Sequence, residues 1–316
     1  MIPVKSLSTR TRMTARLLAA AVVLGVCGSA TAEVRFVYQD ILDVTAAGSE
    51  RLRPVAITCD PLNGEICITD DRQSLFALTN TDGIQIFRTG AFAGLSFPLD
   101  GSLDRDGGIV FLDSDGDYGF TIKRLDLFGE PVDFAAQPVQ PDWAPRYLII
   151  TRDGNFVTLD AFRGILAKHD SRSGEVIWVS TITNDSGSDV LHLGRPAEAE
   201  DGRLYIPGGN LNRVLVFTAD GRSDSAFGRY GTGPGRMIFP VGAAFLPDGT
   251  FLMLDRMRHK IMVFDADHQF LGEYGSLGAG PGQFYHPSSL ATDHTGRCFV
   301  GQGFQGRVQV FKVEIS

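Results

Sequence analysis

Six prolines, at positions 54, 98, 145, 196, 240 and 287, recur at intervals of 44 to 51 residues, and each opens the same local pattern. After the proline comes a short apolar or mixed segment, then a tight turn and a second apolar segment. A third segment rich in Val, Leu and Phe follows, then a polar turn and a fourth segment. A period of roughly 20–50 residues marks chains whose units cannot bury their own apolar faces and must pack on their neighbours.

The turns between first and second segments read Asn63-Gly64, Asp106-Gly107, Asp153-Gly154, Asp201-Gly202, Asp248-Gly249 and Thr295-Gly296. Asx-Gly pairs suit two-residue hairpins in which both central residues take positive φ. The second segments, among them Ile66-Cys67-Ile68, Leu204-Tyr205-Ile206 and Phe251-Leu252-Met253, are apolar on both sides, as strands covered on both faces are. Third strands are expected at Arg213–Phe217, Lys260–Phe264 and Arg307–Phe311.

Four strands in each of six units exceed what one open sheet holds, so the sheets must stack radially and close. The expected fold is therefore all-β, a six-bladed β-propeller of four-stranded antiparallel blades over residues 33–316, with blades starting near the six prolines. The last unit stops after its third strand, whereas Val34-Arg35-Phe36-Val37-Tyr38 belongs to no unit. That stretch should supply the missing outer strand and close the ring, hiding an edge that invites aggregation.

Residues 1–32 carry Lys5, Arg10, Arg12 and Arg16 and no acid, then the apolar run Leu17 to Val26 and the small residues Gly28-Ser29-Ala30-Thr31-Ala32. This is the pattern of a signal peptide cleaved after Ala32, which directs the chain to the periplasm or outside the cell. Cys27 at the end of the apolar run offers a lipoprotein alternative, opposed by the bulky Val26 before it. No other segment is apolar for the roughly 20 residues that a spanning helix needs. The chain carries a net charge of −8, and loss of four basic residues makes it more acidic still. Such a surface repels phosphate backbones and excludes nucleic acid as a partner.

Cys59, Cys67 and Cys298 remain after cleavage, an odd number. Cys59 and Cys67 are symmetric about Asn63, so in a hairpin centred there they face each other. A disulfide and two packed thiols are both open to them in an oxidising compartment.

The stretches Tyr230-Gly231-Thr232-Gly233-Pro234-Gly235-Arg236-Met237-Ile238-Phe239-Pro240 and Gly280-Pro281-Gly282-Gln283-Phe284-Tyr285-His286-Pro287 resemble the glycine-rich connector and Phe-x-x-Pro signature of NHL repeats. Arg307-Val308-Gln309-Val310-Phe311 resembles that family's third strand. The likeness is strong over 194–311 and weaker, in register, over 54–193. It implies a propeller and little about activity, because the architecture serves binding proteins and enzymes alike.

In a propeller the loops leading into the innermost strands converge on the mouth of the central channel. The residues there, Asp100, Arg146, Arg195, Glu198, His286 and Ser288, are the candidates for ligand contact, with mutual pairing as the alternative for each. Lactonase-like propellers would need carboxylate and Asn ligands after the prolines; this chain has Val55, Leu99, Arg146, Ala197, Val241 and Ser288, and Arg146 repels a cation. Asp113-Ser114-Asp115-Gly116-Asp117 begins like a calcium loop but has Tyr118 and Arg124 where Gly and Glu are required. Propeller lyases use histidines at the same mouth, where this chain has His192 and His286, one short of a three-ligand zinc site.

No cofactor is therefore expected, with zinc and calcium left open. The leading expectation is a monomeric binding or scaffolding propeller presenting loops to a protein, peptide or glycan partner. Partner-specific shape is expected around Thr183-Asn184-Asp185-Ser186-Gly187-Ser188 and in Gln137 to Pro145. The rival is a lyase or hydrolase with His286 as general base, Arg146 as electrostatic stabiliser and His192 beside them.

Overall fold

The computed structural model of the chain describes residues 33–42, 53–60, 63–116, 119–183 and 190–316. The segment 1–32, expected above to be a signal peptide, the segment 184–189, and Asp117 and Tyr118 of the calcium-like loop lie outside the described residues. Among the described residues no helix is long and apolar enough to cross a membrane.

Six four-stranded antiparallel sheets form the propeller. From inside outward, blade one is Pro54–Cys59, Ile66–Asp70, Leu75–Thr79 and Gln85–Thr89; blade three is Tyr147–Ile150, Phe156–Asp160, Ile165–His169 and Val176–Thr181. Blade five is Pro240–Phe245, Phe251–Asp255, Lys260–Phe264 and Phe270–Tyr274. Second strands such as Phe251–Asp255 are buried at every residue, while the outer Val176–Thr181 alternates. Radial stacking covers both faces of the former and one face of the latter.

The core is correspondingly divided into six interblade layers. Leu252, Leu254, Cys298 and Phe311 fill the layer between blades five and six, and Ile57, Ile68, Phe299 and Val310 the layer between six and one. The remaining four layers complete the circle.

Ring closure follows the sequence expectation. Val34–Leu42 is the outermost strand of blade six, antiparallel to Arg307–Ile315 from Val34↔Ile315 to Leu42↔Val308.

Two local expectations are corrected. The Asx residue of the hairpin turns does not take positive φ: Gly107 and Gly249 do, at 82° and 85°, while Asp106 and Asp248 do not. Gly249 N donates to Leu246 O and Leu246 N to Thr250 O, the geometry of a type I turn closed by a left-handed glycine. The Asp248 carboxylate also accepts from Thr250 N at 2.9 Å.

The same bulged geometry decides the cysteines. Cys59 pairs with Ile66 and Thr58 with Cys67, one residue away from the symmetric register, so the two thiols point to opposite faces of the hairpin. Cys59 packs against the layer between blades six and one and Cys67 lies in the layer between one and two; both are free, as is Cys298. Burial pushes the Cys67 thiol up to about 12 and raises Cys59 as well, which disfavours the nucleophilic thiolate in both.

A buried acid at or near the end of the second strand locks the upper rim of blades one, two, three and five. Asp255 accepts from Ile238 N and Phe239 N on one oxygen and from Met257 N and Arg258 N on the other. Asp70, Asp113 and Asp160 do the same work in blades one, two and three, tying the incoming connector or the following turn. Gly208 stands at this position in blade four, where Asn210 accepts from His192 N instead.

Candidate functional site

First and second strands run antiparallel, so the connector into one and the turn leaving the other meet at the same rim. Pro240 lies opposite Asp255, for example, which sets Phe239 beside Arg256. Around the channel axis these pieces enclose a cavity of about 220 Å³ lined by Arg53, Arg146, Tyr147, Arg256, His286, Ser288 and Phe304, with Pro54, Val55, Leu99 and Gly303.

Arg146, His286 and Ser288, expected beside the prolines, are thus brought together. Arg53 and Arg256 were not singled out from the sequence. Arg53 immediately precedes its proline, as Arg195 and His286 do, so the repeat alone could have found it. Arg256 and Phe304 come from turns between second and third strands, which return to the same rim.

The other candidates are consumed or sit elsewhere. Asp100 is fully buried, and its Oδ2 takes Arg195 Nε at 3.0 Å and Leu148 N at 3.1 Å. Arg195 spends a second nitrogen on Leu148 O at 3.0 Å. Burial raises the Asp100 carboxyl and Arg195 opposes it; the pair stitches blades two, three and four below the mouth. Ser288 Oγ donates to the Pro54 and Gly301 carbonyls at 3.2 and 3.3 Å, holding blade six to blade one.

Glu198 lies toward the opposite end of the channel. The isolated bridge Leu193↔Gly208 shows that Leu193, not Pro196, takes the place that Pro240 has opposite Asp255 in blade five. Residues after it are therefore about one turn of pleat deeper, and Glu198 accepts from Arg152 N at 2.6 Å beside the Asp153-Gly154 hairpin. Burial lifts its carboxyl to about 7 against the ordinary 4.5, despite the bond from Arg152.

A raised folded-state value means that the native protein holds this proton more tightly than the unfolded chain. Its stabilising contribution is complete below pH 4.5 and is lost as pH rises to about 7. Glu198→Gln keeps the acceptor without the charge. It should exceed wild type by about 1–2 kcal/mol at pH 8, after discounting for solvent screening, and match it at pH 4, as read by urea denaturation at both values. An equal difference at both pH values would refute the assignment.

His192 is exposed and outside the cavity, its ring 5.6 Å from Phe162 and 6.0 Å from Phe239. It does not join His286, whose ring neighbours are Tyr285 at 4.7 Å, Phe304 at 5.4 Å and His259 at 6.1 Å. His286 is also held at a φ of 46°, an uncommon conformation for a residue with a side chain. Among the described residues no group of three or more His, Cys, Asp or Glu side chains converges as metal ligands would. Asp113, the first acid of the calcium-like loop, is buried and bonded to Ser96 N, Phe97 N and Lys123 Nζ.

The mouth is therefore basic: among the described residues its wall holds three guanidiniums and no carboxylate. Arg256 lies over the Phe239 ring at 5.9 Å and donates from Nε to Pro287 O at 3.4 Å. Burial lowers its affinity for its proton, and Arg146 nearby adds to the effect against the opposing influence of Tyr147.

Fold and site together define a six-bladed propeller with a cationic channel mouth. No protein-family model matches the chain, and no curated protein sequence does. Solved structures with this fold include a streptogramin B lyase, 12% identical with a TM-score of 0.60, covering 90% of this chain and 98% of that one. A catalytically inactive virginiamycin B lyase from Staphylococcus aureus with quinupristin is 14% identical, with a TM-score of 0.60 over 88% of this chain and 85% of that one. An auxiliary nutrient binding protein from Bacteroides thetaiotaomicron is also 14% identical, with a TM-score of 0.62 over 84% and 70%. At these identities the likeness establishes the fold alone.

Proposed function

We propose that this chain is an exported, NHL-like binding propeller that holds a protein, peptide or glycan partner against its loop face at the channel mouth. The observation that carries this reading is how the mouth's polar groups are used. Ser288 is committed to internal bonds, as is Asp100 below the mouth; among the described lining residues His286 is the one imidazole, and Arg53, Arg146 and Arg256 are donors placed to hold a ligand. Export is supported by the basic, apolar and small-residue segments of residues 1–32.

A lyase acting at the same mouth is the second reading, favoured by one observation: Arg146 and His286 line one cavity. Two measurements separate them. Purified protein applied to defined peptide and glycan arrays should retain a subset of ligands, and Arg146→Gln should weaken that retention by about tenfold or more. Quinupristin incubated with the protein should keep its chromatographic retention time. Retention on the arrays that ignores Arg146→Gln would sink the mouth as the binding site. Conversion of quinupristin by wild type and not by His286→Ala would put the lyase in its place.

A further inference from the structure

We infer that the ligand of this mouth presents an oxyanion, a carboxylate or phosphate, carried on an aromatic or apolar body; this rests on the binding reading above. Arg53, Arg146 and Arg256 belong to blades one, three and five, alternate members of a ring of six, so they reach the cavity from three sides. A guanidinium has five donors and no acceptor, and its planar fork matches an oxyanion in two parallel bonds.

Elsewhere in this acidic chain, half-buried arginines have carboxylate partners, except Arg307, which donates to Gln302 Oε1 and to the Ala279 and Gln283 carbonyls. Arg195 pairs with Asp100, Arg124 with Asp104, Arg258 with Glu273 and Arg297 with Asp293. At the mouth the pairing stops. Among the described residues Arg146 and Arg256 have no carboxylate partner, and Arg53 reaches only Asp71, at 3.8 Å. Two half-buried like charges near each other oppose folding unless a counter-ion joins them. The counter-ion that fits is the ligand.

The rim specifies what carries the charge. Phe304 is 78% exposed, and Tyr285 beside it is exposed as well, their rings 6.2 Å apart, so the two form an apolar patch at the rim. At about 220 Å³ the cavity is smaller than pockets that enclose drug-sized ligands. It admits an anionic head and leaves the body against these rings.

The test is titration calorimetry at low salt with N-benzoylglycine and phenyl phosphate as the two oxyanion probes and N-benzoylglycinamide as the neutral control. At least one oxyanion should bind, its amide-type control about tenfold or more weaker, and the affinity should fall as sodium chloride is raised. Which of the two binds distinguishes a carboxylate from a phosphate source. Arg256→Gln should cost about 10- to 100-fold in affinity, with Arg256→Lys between. Arg146→Gln without ligand should melt at or above the wild-type temperature, because it relieves repulsion and breaks no side-chain bond among the described residues. A lower melting temperature would show that Arg146 serves the fold and would overturn the inference.

Amide binding equal to that of the acid, or failure of both oxyanions to bind, would also overturn it. In the latter case, array ligands still lost in Arg146→Gln would leave the binding reading standing with a different ligand class. Arrays that retain nothing would remove both.

Discussion

A variant lacking Val34–Leu42 is expected to lose its cooperative melting transition and to associate. The deleted strand pairs with Arg307–Ile315 along its whole length. It also buries Phe36, stacked on Tyr274 at 4.7 Å and edge-on to Phe311 at 6.3 Å, and Leu42 in the layer between blades six and one. Each of those side chains is worth about 1.5–3 kcal/mol, and each ladder bond about 0.5–1.5 kcal/mol net. The sum is comparable to the whole 5–15 kcal/mol, roughly, by which a domain is stable. What remains is an unpaired edge bearing Val308, Val310, Phe311 and Val313, a template for another chain. A peptide of sequence 33–42 supplied in trans should restore the transition and the monomer, and the same peptide with Phe36→Asp should not. A deletion variant that stays monomeric and melts like wild type would show that the ring does not depend on this strand.

The ring was legible because its sequence signals are redundant: six prolines, six turns and one orphan strand all give one count. What escaped were features that depend on a register of one residue. Asn-Gly and Asp-Gly fit a type I′ turn and a bulged type I turn equally well, and the bulge shifts pairing by one, which turned Cys59 away from Cys67. Pro196 looked equivalent to the other prolines, yet the blade-four connector reaches the rim at Leu193, so Arg195 and Glu198 lie deeper than their spacing implied. The mouth was read from the prolines alone, which placed Arg146, His286 and Ser288 at the cavity but passed over Arg256 and Phe304. Those side chains arrive from the next turn, and only antiparallel pairing brings the two together.

Asp255→Ala should be the most damaging single substitution in blade five. The carboxylate is fully buried and accepts four backbone N–H groups at 2.7, 3.1, 3.0 and 2.9 Å. Alanine would leave all four donors facing a space that the neighbouring blades close to water. An orphaned buried donor costs about 1–3 kcal/mol; partial relaxation reduces the sum, and a loss of about 4 kcal/mol or more is expected. Asp255→Asn keeps one acceptor oxygen, and so should lose about half as much. The same bonds fix Phe239 under Arg256 and fix the turn that carries Arg256, so Asp255→Asn should also weaken ligand binding at the mouth while the protein remains folded. Chemical denaturation measures the first effect and calorimetry on the asparagine variant the second. A loss within 1 kcal/mol of wild type for the alanine variant would mean that water reaches these amides, and the rim would then be a looser support for the arginines than its hydrogen bonds imply.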